Sequence, residues 1–198
     1  MAGSKKRVFL CEGLHEQLFI SHLLTFRNIS YSTERWCTLK ESGVRFPEMD
    51  CIRKFLGSKK YTGIFLLKDE DGKDRCRDTF IELISSAPKQ YQLLMLLDSQ
   101  GTSVLEDLRF NIKKRLSRDI LNKNNDFWYP TKTPSGHHVL FTPKSLEKLM
   151  KEVIGHSPDH HNHEEKNRLF SEFVLSCQAE GDEIHQIWYR SILPALEE

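Results

Sequence analysis

Three near-continuous apolar runs constrain this chain most: Arg7–Cys11 (RVFLC), Gly63–Leu67 (GIFLL) and Tyr91–Leu97 (YQLLMLL). Runs this short and this uniformly apolar fit strands whose two faces are both covered. Each is followed by acid, then glycine, then a helical pattern, over Leu14–Phe26, Arg75–Ser86 and Ser103–Leu121. Strands alternating with helices need crossover connections. The expectation is therefore an α/β chain with a parallel sheet flanked by helices.

The remaining segments fill in around that frame. Ile29–Cys37 alternates and predicts a further strand, Glu41–Pro47 reads as a loop, and Asp50–Leu56 as a short helix ended by Gly57-Ser58. Ser103-Val-Leu-Glu106 has the pattern of a capping box. Beyond Asn122 the pattern changes. Asn122–Pro130 is polar but holds Phe127, Trp128 and Tyr129; Val139–Phe141 reads as a last strand or an edge. Lys144–Ile154, Glu164–Gln178 and Glu183–Leu193 read as helices. A soft boundary near residue 125 separates an α/β domain (1–125) from a smaller, mainly helical C-terminal part (126–198) to which no role is assigned.

With 198 residues, 38% hydrophobic and 29% charged, the chain can build a sizeable core. The net charge of +1 (29 basic against 28 acidic residues) supplies no overall field toward nucleic acid, so such binding must use a local patch. Five cysteines without a C-x-x-C pair predict reduced thiols, neither a disulfide frame nor a zinc knuckle. The start MAGSKKR is basic, but the apolar run Val8–Cys11 is too short for a signal peptide, and Leu93–Leu97 is far below membrane-spanning length. A soluble, cytoplasmic protein with no membrane partner is expected.

In a parallel sheet the C-terminal strand ends share one edge, where ligands bind. Here the runs end at Glu12, at Asp69-Glu70-Asp71 and at Asp98. Alternation puts Asp69 and Asp71 on one side of their segment. With Glu12 they offer hard oxygen donors suited to Mg²⁺ or Mn²⁺, and Gly13 and Gly72 would let the chain turn just beyond them. Any one such acid is more often a plain cap or turn residue. The combination carries the argument.

"VFLCEG" followed by a helix, then "IFLLKDEDGKD" after a crossover, resembles the TOPRIM domain of primases, topoisomerases and OLD-family nucleases. Glu12 matches the glutamate of the first TOPRIM motif and Asp69 and Asp71 its D-x-D, 69 − 12 = 57 positions on. "CEGLHEQLF" is similar to the E-G-x-x-E form of the OLD and small defence-associated group, which implies Glu16 as a ligand of a second metal. "LLMLLDSQG" resembles the fourth strand, with Asp98 near the metal site. The resemblance spans residues 5–120 and implies metal-dependent phosphodiester cleavage of DNA or RNA by a prokaryotic or phage protein. An ATPase partner, a role in antiviral defence or DNA maintenance, and a homo-oligomer go with it. The chain carries no Walker A sequence of its own. A topoisomerase would need a nucleophilic tyrosine on another domain; Tyr129 and Tyr189 are present, without room for strand passage.

Other features have a functional and a plain reading. Lys132, in "TKTPSG", is a candidate electrophile beside a scissile phosphate, or an ordinary loop lysine. His137-His138 would bring an imidazole to the acidic edge, or simply lead into a strand. The loop "HSPDHHNHEE" gathers His156, His160, His161 and His163, but fits no zinc spacing and is expected to be exposed, mobile and outside the catalytic site. Arg109, Lys113, Lys114, Arg115 and Arg118 form a basic helical face, and Phe127-Trp128-Tyr129 could stack on bases or fill a core edge. Two rival functions remain. One is a non-enzymatic interaction module with the same fold. The other is a haloacid-dehalogenase-like phosphatase with Asp69 as nucleophile and Asp71 as general acid, ranked lower because that motif normally follows the first strand.

Overall fold

The computed structural model describes residues 6–32, 65–69, 72–86, 91–98 and 102–197. Among them are six strands, β1 (Lys6–Cys11), β2 (Tyr31–Ser32), β3 (Phe65–Asp69), β4 (Tyr91–Leu97), β5 (Trp128–Pro130) and β6 (His138–Phe141). Six helices accompany them: α1 (Leu14–Phe26), α2 (Lys73–Ser86), α3 (Thr102–Leu116), α4 (Leu146–Ile154), α5 (His163–Gln178) and α6 (Ile184–Glu197). The strands form one sheet in the order β2-β3-β1-β4-β6-β5. All neighbours run parallel except β5, which closes one edge antiparallel to β6. The α/β expectation holds. The loop at 41–47, the helix at 50–56 and most of the strand at 29–37 fall outside the described residues.

The apolar runs are strands because each needs two hydrophobic coverings. All seven residues of β4 are buried, Gln92 included. Alternate residues face opposite ways. Phe9, Cys11, Leu94, Leu96 and Leu140 enter a core with α1, α4, α5 and α6. Val8, Leu10, Leu93, Met95 and Val139 enter a second core with α2 and α3. Trp188 of α6, fully buried, stacks on Phe19 of α1 at 5.2 Å between ring centroids and donates Nε1–H to the Phe141 carbonyl at 2.8 Å. The chain beyond residue 125 thus contributes two strands to the sheet and covers one of its faces.

Several local expectations change. β6 is the last strand in chain order, as expected, but not an edge: it lies between β4 and β5. α3 already includes Thr102, so Ser103 is inside the helix and not its cap, and the helix stops at Leu116. Ser117 takes φ 58°, the left-handed conformation that ends helices, and Ile120 and Leu121 then fold into the core. Trp128 and Tyr129 are buried on opposite faces of the sheet, so they fill the two cores and offer no stacking surface. No helix among the described residues is long and apolar enough to cross a membrane.

Candidate functional site

Register places the acids. Cys11 pairs with Asp69 on β3 and with Leu96 on β4, so β3, β1 and β4 end side by side at one edge. Glu12 follows β1 directly, and Asp98 follows β4. The main-chain N–H of Asp98 donates to Glu12 Oε1 at 2.8 Å, fixing that carboxylate across the strand boundary. Thr142, just past β6, donates Oγ1–H to Asp98 Oδ1 at 2.9 Å. Four adjacent parallel strands therefore end in polar residues on this edge. Asp71 lies outside the described residues, and of Asp69 the structure gives the main-chain position.

The turn after β3 is tied to the same point: the N–H of Gly72 donates to the Glu12 carbonyl at 2.6 Å. Gly72 has φ 128°, a conformation that favours glycine. Gly13 is different. Its φ of −158° and ψ of −169° are extended, so its place as N-cap of α1 does not depend on glycine's freedom. The Gly13 N–H instead donates to Glu16 Oε2 at 3.0 Å, so Glu16 caps the helix that carries it.

Burial pushes the Glu12 carboxyl up to about 7; the Asp98 N–H and Lys73 oppose this, while Glu16 and Asp98 add to it. Burial also raises Glu16, with Glu147 and Asp98 adding repulsion. The edge is crowded with poorly solvated carboxylates, the condition under which a bound cation relieves most repulsion. Glu12, Glu16 and Asp98 offer the carboxylate oxygens that a hard ion such as Mg²⁺ or Mn²⁺ takes, and the main chain of Asp69 is in register with Cys11 beside them. Among the described residues, these three carboxylates are not drawn within 4.8 Å of one another. Beside them, between α2 and α3, lies a cavity of about 250 Å³ lined in part by Lys73, Arg77 and Ser103.

Two expected contributors are elsewhere. Lys132 follows β5 and precedes β6, in the hairpin on the N-terminal side of β6, and so sits at the opposite edge from Glu12, exposed to solvent. It cannot act as an electrophile there. A loop leading into a parallel strand always lies at that edge. His137 and His138 belong to the same end and are buried. Leu93 donates its N–H to His137 Nδ1 at 3.1 Å, and Trp128 donates Nε1–H to His138 Nδ1 at 2.9 Å. Burial pushes His138 down to about 4, with Arg7 adding to the effect. Both histidines hold the sheet together.

Lys73, the first residue of α2, is the cation that acts on Glu12, and the sequence reading missed it. Its signal was available: it directly follows the acid-glycine turn "DEDG". Of the basic face, Arg109 pairs with Asp119 while Lys113, Lys114 and Arg115 are exposed. In the histidine-rich segment His156 and His160 of the loop and His163 at the start of α5 are exposed, while Pro158 is buried. His161 Nδ1 lies 2.9 Å from Glu165 Oε2, and Asn162 caps α5 by accepting the Glu165 N–H at 2.9 Å. No protein family, no curated protein and no solved structure matches the chain.

Proposed function

We propose that this chain is a TOPRIM-like protein that cleaves phosphodiester bonds in DNA or RNA with Mg²⁺ or Mn²⁺. The observation that carries the reading is Glu12. It is fixed by the N–H of Asp98 at the edge where β1 lies between two strands that also end in acid. Bound there, divalent cations would polarise the phosphate and stabilise charge on the attacking and leaving oxygens.

Glu12, Asp69 and Asp71 are the proposed ligands. Glu12 either holds the metal or, as a carboxyl poised near neutrality without one, exchanges a proton with water or a leaving group. Glu16 is proposed as a ligand of a second ion. A carboxylate has several acceptor sites, so capping α1 does not exhaust it. Lys132 has no part in this scheme. An ATPase partner, a role in prokaryotic defence or DNA maintenance, and self-association remain part of the proposal through the family resemblance.

One alternative is an interaction module that keeps the fold without turnover; Lys132 lies at the other edge, and Lys73 is the cation near Glu12. The test is cleavage of single- and double-stranded DNA and of RNA with Mn²⁺, by the native chain and by Asp69→Asn. Cleavage lost in the variant supports the nuclease. No cleavage of any substrate favours the module.

A further inference from the structure

Next to the acidic edge, the first turn of α1 meets the first turn of α4 and the loop that follows α4. His15 Nδ1 lies 2.6 Å from Glu147 Oε1, across 132 residues of sequence. One donor atom each from His15, Glu147 and Asp159 lie within 4.8 Å of one another. We infer that these three residues form a separate site for a divalent transition metal of the Zn²⁺ or Co²⁺ type, with one nitrogen and two oxygen donors.

Each donor is placed by its own support, so the site does not depend on a metal to assemble. The His15 ring packs against Phe170 of α5, with centroids 5.9 Å apart. Glu147 belongs to the first turn of α4, whose N-cap Ser145 accepts the Lys148 N–H at 3.4 Å. Asp159 accepts from Ser157 Oγ at 2.7 Å, next to the buried Pro158. Ligands around a tetrahedral ion stand about 3.4 Å apart, so rotamer adjustments alone close the cluster.

The donor chemistry selects the ion. An imidazole nitrogen favours Zn²⁺, Co²⁺ or Ni²⁺ over Mg²⁺, which prefers oxygen alone. Two carboxylates offset the dipositive charge, and the open side leaves room for water as a further ligand. The His15 and Glu147 side chains are 17% and 30% exposed, so an ion can enter without opening the core. Occupancy would clamp the loop after α4 onto the N-terminus of α1, one residue before Glu16. The site uses no imidazole of the histidine-rich loop and does not depend on the proposed cleavage chemistry.

The test is titration with Co²⁺ alone, in an Asp69→Asn background so that the acidic edge contributes little, followed by calorimetry and visible absorption. One Co²⁺ is expected to bind with the absorption of a nitrogen–oxygen site. His15→Ala and Asp159→Asn should each weaken it by roughly tenfold or more. His160→Ala combined with His161→Ala should leave it unchanged. Asp159 is exposed, so its variant keeps the test valid should His15→Ala fail to fold. Absence of Co²⁺ binding, unchanged affinity in Asp159→Asn, or loss in the His160/His161 variant instead would overturn the inference.

Discussion

Glu12 and Asp98 are joined across two strands: the N–H of Asp98 donates to Glu12 Oε1 at 2.8 Å, 86 residues apart in sequence. Main chain of one strand thus aims the carboxylate of another at a shared edge. Burial makes charging that carboxylate costly, the Asp98 N–H offsets only part of the cost, and the remainder is measurable.

Glu12→Gln should raise stability at pH 8 without divalent cations. The folded-state value of about 7 exceeds the unfolded 4.5, so the folded protein binds more protons in that interval. The contribution of Glu12 to stability is complete below 4.5 and is lost as pH rises through 7. Glutamine keeps the acceptor for Asp98 and never charges. After allowance for solvent screening the gain is on the order of 1–2 kcal/mol, or about 2–8 °C for a chain of this size. Thermal melts at pH 5 and pH 8 check it. The difference should be several-fold smaller at pH 5.

His138 acts in the opposite direction. Its folded value of about 4 lies below the usual 6.5, so stability from this group is present above 6.5 and falls as pH drops toward 4. An NMR titration should show the His138 ring neutral down to about pH 5. A His138 signal that titrates at the ordinary imidazole value of 6.5 would contradict its buried, Trp128-bound position.

The three acid-ended strands were legible because RVFLC, GIFLL and YQLLMLL leave no polar face, and only a two-sided covering suits them. β5 and β6 were harder to read. Trp128–Pro130 is only three residues long, and β6 opens on a histidine whose polarity masks a buried strand. Lys132 was misplaced for a related reason. Until β6 is known to run parallel to β4, nothing says which edge the preceding loop occupies. The pairing of His15 with Glu147 had no sequence signal at all, since packing of α1, α4 and α5 around one core creates it.

Lys132→Ala should leave stability within about 0.5 kcal/mol of native, with the response to Mg²⁺ unchanged, because the side chain is exposed at the far edge. Urea unfolding with and without Mg²⁺ measures both. A lost Mg²⁺ response would mean the hairpin reaches the acids after all.

Gly72→Ala should destabilise the protein by about 1–3 kcal/mol, because alanine is strained at the φ of 128° found there. Its N–H holds the Glu12 carbonyl, so the Mg²⁺ response should weaken too. Both are read from the same urea series. Native-like stability in the variant would show that the turn relaxes freely.

The most direct test of the acidic edge is the melting temperature with and without saturating Mg²⁺, in the native chain and in Asp69→Asn. Mg²⁺ is the ion to use, because the imidazole-containing cluster at His15 disfavours it. Asparagine keeps size and one oxygen but loses the charge that holds a hard cation. At about 100 times Kd, binding to the folded state alone adds about 2.7 kcal/mol, which corresponds to roughly 5–10 °C. The account predicts that rise in the native protein and its loss in Asp69→Asn. Equal stabilisation of the two proteins, or none in either, would contradict it.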